Sequence, residues 1–139
     1  MRLNKRWRQS GKKIICVDFD GVIHGYQSGF KGMGCIPDPP VVQDQSVKDS
    51  IRWLRELIWS DKFIICIYSS RSKSLFGRKA MKEWLHKWGL CNNELKQVYF
   101  PILKPPAWLT IDDRAIKFTG VFPTIKEIEE FKPWNKQKL

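Results

Sequence analysis

Residues Ile14 to His24 read Ile-Ile-Cys-Val-Asp-Phe-Asp-Gly-Val-Ile-His, and no other stretch restricts the fold as sharply. The apolar run Ile14 to Val17 ends in Asp18, Phe19, Asp20 and Gly21. A short continuous apolar run reads as a strand buried on both faces. Side chains alternate along a strand, so Asp18 and Asp20 leave its carboxyl end on one side and Phe19 on the other. Open α/β sheets bind ligands at the carboxyl ends of their strands. Two carboxylates converging there repel each other and require something positive, most simply a divalent cation with oxygen ligands. Gly21 lets the backbone turn sharply and approach whatever is bound.

The rest of the chain supplies the elements such a strand needs. Gly21 to Pro40 is rich in Gly and Pro and reads as a flap, with room for a short hairpin from Val22 to His24 returning after a turn near Ser28-Gly29. Ser46-Val47-Lys48-Asp49 has the form of a capping box, followed by Val47, Ile51, Leu54 and Ile58 at helical spacing. Phe63 to Tyr68 is a second buried strand, and Ser69-Ser70-Arg71-Ser72 a loop after it. A helix from about Leu75 to Trp88 stops at Gly89. Gln97 to Phe100 and Trp108 to Ile111 are short strands, the latter ending at Asp112-Asp113. Thr124 to Glu127 forms another capping box, opening a helix to about Phe131, and the tail beyond Pro133 is polar and expected to fray. Strands alternating with helices predict an α/β fold with a mainly parallel sheet.

Length and composition set the outer limits. At 139 residues and 42% apolar, residues 1–139 suit one domain with its own core. No apolar stretch approaches a transmembrane span, and the N-terminus lacks a signal-peptide pattern, so the cytoplasm is the expected compartment. Cys16, Cys35, Cys66 and Cys91 form no C-x-x-C pair and read as small buried hydrophobes. The net charge is +11, concentrated in residues 1–13 and 71–87. Such a field draws nucleic acid or phosphorylated ligands, or simply keeps a surface solvated. The first of these segments reads as a basic tail or an edge strand. None of these features fixes the oligomeric state.

Three apolar runs thus each end in polar groups: Asp18 and Asp20, Ser69, and Asp112 with Asp113. Lys104 precedes the last. On one rim of a parallel sheet these groups converge, a set suited to handling a phosphoryl group with Mg²⁺. The pattern resembles the haloacid dehalogenase superfamily of phosphohydrolases. Its Asp-x-Asp-Gly motif matches Asp18-Phe19-Asp20-Gly21, its strand-ending Ser or Thr matches Ser69, its lysine matches Lys104, and its acidic pair matches Asp112-Asp113. The matched region runs from about Ile14 to Gly120.

The resemblance implies a Rossmann-like sheet flanked by helices and an aspartyl-phosphate mechanism. Asp18 would be the nucleophile and Asp20 the acid and base. Mg²⁺ would be held by Asp18, the backbone carbonyl of Asp20, and Asp112 or Asp113. Ser69 would hydrogen-bond a phosphoryl oxygen, and Lys104 would pair with Asp18 and the phosphate. Gly21 and Ser70 stand next to these as substrate contacts. Arg71 either reaches a phosphate or is solvated. Arg114 either contacts substrate or, as favoured, pairs with a neighbouring acid. His24 reads as structural, Trp84 and Trp88 as core or partner contacts, and Tyr26, Phe30 and Met33 as packing under the flap. The spacing leaves no room for a large cap domain, as in the capless members of the family. Ser-Ser-Arg and Ile-Asp-Asp-Arg resemble the 3′-phosphatase domain of phage polynucleotide kinases, although Lys104 sits closer to Asp112 than in those domains. The Lys-Pro and Ile-Asp-Asp-Arg-Ala segments are also similar to small phage and bacterial members. The expectation is a Mg²⁺-dependent phosphomonoesterase acting on nucleotides or nucleic-acid ends. A sugar phosphatase is the alternative enzyme. A nucleic-acid-binding module on an idle scaffold is the alternative of another class.

Overall fold

β1 (Lys13–Val17) is an inner strand of a four-stranded, all-parallel sheet. Its companions are β2 (Phe63–Ile67), β3 (Val98–Tyr99) and β4 (Leu109–Ile111), in the order β3-β2-β1-β4. The computed structural model describes residues 10–25, 42 and 44–136. Cys35, the flap residues Tyr26, Phe30 and Met33, the turn near Ser28-Gly29 and residues 1–9 of the basic stretch lie outside them. β1 and β2 run in register from Lys13 opposite Phe63 to Val17 opposite Ile67. Ile14 to Val17 and Ile64 to Ile67 are all buried, so these strands are apolar at every position rather than at alternate ones.

Two helices cover one face. From α1 (Ser50–Ser60) come Leu54 and Ile58, and from α2 (Leu75–Lys87) come Met81, Trp84 and Leu85. They pack with Ile15, Val17, Ile65 and Ile67, and with Phe19 and Ile23 from the turn after β1. Ile14, Ile64 and Cys66 form a smaller cluster on the opposite face, joined by Tyr99 and Ala107. No residue of α1 or α2 belongs to that second cluster. The link from β3 to β4 carries no helix, and Trp108 donates its N–H to the carbonyl of Ile14 at 2.9 Å. α3 (Asn92–Leu95) and α4 (Ile125–Glu129) are short.

The helix starts divide into one expectation met and one corrected. At α4 the capping box is present: Thr124 Oγ1 accepts from Glu127 N at 3.1 Å, and Glu127 Oε2 accepts from Thr124 N at 2.7 Å. At α1 the cap is not Ser46 but Asp49, in the left-handed region (φ 65°) and with no side-chain capping bond. Ser46 is used elsewhere, in an antiparallel bridge to His24. α2 ends at Lys87, and Gly89 (φ 123°) reverses the chain as expected. The tail is also corrected. Residues Trp134–Lys136 form a 3₁₀ turn, and Trp134 Nε1 donates to the carbonyl of Gly21 at 2.7 Å. Among the described residues, no helix is long and apolar enough to cross a membrane.

Candidate active site

The turn after β1 places the first group. Asp18 N donates to Ile111 O at 2.9 Å, which ties the strand end to β4. The carbonyl of Phe19 then accepts from Ile23 N and His24 N at 3.0 and 2.9 Å, and Gly21 N donates to His24 O at 2.7 Å. Closing so tight a loop puts Gly21 at φ 86°, where a side chain would be strained. Phe19 is fully buried, stacked 5.2 Å from the His24 ring and edge-on to Trp84 at 5.3 Å. The apolar residue between the two aspartates is therefore the anchor of the turn.

Asp18 meets Asp112 and Asp113, with one carboxylate oxygen of each inside a 4.8 Å group. Asp112 is exposed, and its Oδ1 accepts from Arg114 N at 2.8 Å. Asp113 is buried, and neither of its oxygens has a hydrogen-bond partner. Its nearest cation, Arg114 Nε, stands 4.0 Å from Oδ2. Buried carboxylate oxygens are nearly always satisfied, so this pair of orphans calls for a cation. Three hard oxygen donors fit Mg²⁺ or a similar divalent ion. Between Asp112 and Asp113, the buried Asp113 depends more on such an ion.

The electrostatics agree. Burial, then the charge of Asp112, then the Asp113 carboxyl push Asp18 up to about 8, against the opposing hydrogen bond from Phe19 N. Burial likewise raises Asp113. The native metal-free protein therefore binds protons that the unfolded chain has released. Its stability falls as pH rises from about 4, the unfolded carboxylate value, to about 8. The full shift corresponds to roughly 5 kcal/mol, and solvent access to half-buried Asp18 reduces this to about 2–3 kcal/mol. The expected result is a melting temperature that drops between pH 5 and pH 8 in chelator and stays nearly flat with Mg²⁺. Parallel melting curves with and without Mg²⁺ would disprove it.

A cavity of about 160 Å³ brings Asp18 and Asp112 together with Ser69, Ser70 and Lys104. Ser69 follows β2 and is buried. Its Oγ accepts from Arg71 N at 3.0 Å, and its N–H is bound by Ser72 Oγ at 3.0 Å, closing a 3₁₀ turn over Ser70–Lys73. Among the described residues, the Ser69 hydroxyl donates to the Met81 sulfur, 3.6 Å from Oγ. A thioether is a weak acceptor, which leaves that proton available to a stronger one. Lys104 is exposed at the cavity wall.

Asp20 does not join the carboxylate group, and here the expectation of two carboxylates converging on one ion is corrected. Its Oδ2 accepts from Arg71 Nε at 2.9 Å and its Oδ1 from Arg71 Nη2 at 3.1 Å. His24 Nδ1 lies 2.8 Å from the same Oδ1. His24 Nε2 accepts from Asp44 N at 3.0 Å, so Nδ1 carries the ring hydrogen and donates to Asp20. Asp20 is 6% exposed and Arg71 1%. The positive partner of this side chain is thus a guanidinium. Burial alone would raise Asp20, but hydrogen bonds from His24 and Arg71 and the charge of Arg71 outweigh it and hold Asp20 below the usual carboxylate range.

Arg71 is accordingly neither solvated nor at the cavity. It lies under the start of α2, where the chain passes so close that a Cβ on Gly77 would sit 2.0 Å from the Arg71 carbonyl oxygen. Arg114 pairs, loosely, with Asp113. His24 is structural in its contacts, Trp84 is core, and Trp88 packs on it at 5.7 Å while remaining partly exposed. Of the cysteines, Cys16 and Cys66 are buried and Cys91 is exposed, a correction to the uniform reading. Another buried carboxylate, Glu94, was not signalled by any motif. It accepts from Arg55 Nε at 3.0 Å, Trp59 Nε1 at 2.8 Å and Cys91 N at 3.1 Å, fastening α3 to α1. Trp134 beside Gly21 was likewise unsignalled.

Comparison of the chain with protein-family models, curated proteins and solved structures finds no match.

Proposed function

We propose that this chain is a phosphomonoesterase of the haloacid dehalogenase type. The observation that carries the reading is the group formed by Asp18, Asp112 and the buried Asp113, whose oxygens accept no hydrogen bond. Lys104 and Ser69 share a cavity with it, and that cavity is sized for a phosphoryl group. Asp18, Asp112 and Asp113 would hold Mg²⁺. When bound, the ion offsets the charge of nucleophile and phosphate and returns Asp18 to its ionised, nucleophilic form.

The chain's own groups account for the remaining steps. An Asp18 oxygen attacks phosphorus, the bond to the leaving oxygen breaks, and an aspartyl-phosphate forms. Lys104 neutralises phosphoryl charge, and the Ser69 hydroxyl turns from Met81 to donate to a phosphoryl oxygen. Water then attacks phosphorus and regenerates Asp18. Asp20 would take the proton of that water, turning an oxygen away from Arg71 and His24 to reach it. Donation to the leaving oxygen requires Asp20 to be protonated first, against the pull of Arg71. Esters whose leaving oxygen needs no proton should therefore turn over fastest. The test is phosphate release from p-nitrophenyl phosphate and glycerol 3-phosphate with Mg²⁺ and with chelator. Expected are metal-dependent release and a preference for the nitrophenyl ester. No release above buffer with Mg²⁺, Mn²⁺ or Co²⁺ would sink the reading.

A further inference from the structure

The cavity at Asp18 holds about 160 Å³, too little for more than a phosphoryl group and an ion, so the rest of the substrate must lie beyond it. The Asp18–Gly21 turn also borders a second hollow of about 490 Å³, within the range of small-molecule sites. Its walls include Gly21, Val47, Lys48, Trp134 and Asn135. The indole of Trp134 has its only donor engaged, Nε1 to Gly21 O at 2.7 Å. The ring is thereby fixed beside the catalytic turn, yet it remains 53% exposed. The ring therefore has surface open to a ligand while its polar edge is held. Exposed Lys48 supplies a cation next to it, and Asn135 an amide able to donate and accept.

We propose that Trp134 is a stacking platform for the nucleobase of the substrate, with Lys48 facing an adjacent phosphate and Asn135 a base edge. An aromatic face, an ammonium and a carboxamide in one hollow are the complement of a nucleotide, and the net charge of +11 favours the same ligand class. The inference rests on the phosphomonoesterase reading and names its substrate class.

The test uses the full chain carrying Asp18→Asn, so that ligand is bound and not consumed. Affinities for AMP, glucose 6-phosphate and inorganic phosphate are measured by calorimetry with Mg²⁺. Adding Trp134→Ala is expected to weaken AMP about tenfold or more and to leave inorganic phosphate unchanged, while Trp134→Phe keeps most of the AMP affinity. Equal weakening of all three ligands, or no change in AMP, overturns the proposal. If Trp134→Ala does not fold, quenching of tryptophan fluorescence by AMP decides. A loss of quenching in Trp134→Phe supports the site, and equal quenching in parent and variant overturns it. Phosphate release from p-nitrophenyl phosphate with Mg²⁺ by the unmodified chain tests the hydrolase reading separately. Turnover without Trp134-dependent AMP binding overturns this proposal alone, and AMP binding that needs Trp134 without any turnover overturns the other.

Discussion

Asp18→Asn is expected to abolish phosphate release and, in the same protein, to raise the melting temperature without metal. The two effects have one cause. Asp18 stands against Asp112 and Asp113 with burial pushing it up to about 8. An amide removes the ionised nucleophile, a loss of at least about a thousandfold in turnover. It also spares the metal-free fold the cost of protonating Asp18 and lets an N–H₂ group reach the orphaned oxygens of Asp113. Functional sites commonly hold such strain at the expense of stability. Steady-state rates and chelator-treated melting curves on parent and variant check both. A variant that keeps its rate, or melts lower without metal, contradicts this account.

The second large effect is on the fold. Arg71→Ala should destabilise the protein by about 3–5 kcal/mol. The change leaves Asp20 buried with its guanidinium gone. His24 does not replace that charge, because its Nε2 accepts from Asp44 N and the ring is neutral. The sign of the pH dependence follows from Asp20. Its folded value is lowered, so its contribution is present above the unfolded carboxylate value of about 3.9. That contribution is lost as pH falls through the lowered one. Without Arg71 the buried carboxyl prefers its proton, so the gap between parent and variant should narrow toward acid. Urea unfolding at pH 7 and pH 5 measures it. Arg71→Lys should recover only part of the loss, since an ammonium cannot reproduce the two-nitrogen fork. A gap that is constant with pH would mean Arg71 acts through packing alone.

The sequence exposed some of this molecule and hid the rest, for physical reasons. β1 and β2 were legible because strands buried on both faces are apolar at every position, and α2 because its stop, Gly89, is written locally. The convergence of Asp18 with Asp112 and Asp113 was legible because parallel strands end on one rim. What was hidden depends on partners far apart in sequence. Ser46 looked like a cap until His24 claimed its backbone. Arg71 read as a phosphate contact or a solvated charge, since burying it requires the carboxylate of Asp20, 51 positions away. Trp134 sits in a polar tail, and nothing local announces a bond to Gly21, 113 positions back.

β4 carries a further consequence. It is one of the two edge strands among the described residues, joined to β1 through three residue pairs, with Leu109 half exposed. Asp112 and Asp113 follow it directly, and Asp18 follows β1. An ion shared by these carboxylates would therefore act as a rivet across the seam between β1 and β4. Peeling of an edge strand such as β4 is a local opening, and it would take two of the three ligands with it. Order at that edge and readiness for chemistry would be gained and lost together, with the supply of divalent ion setting how often the seam opens.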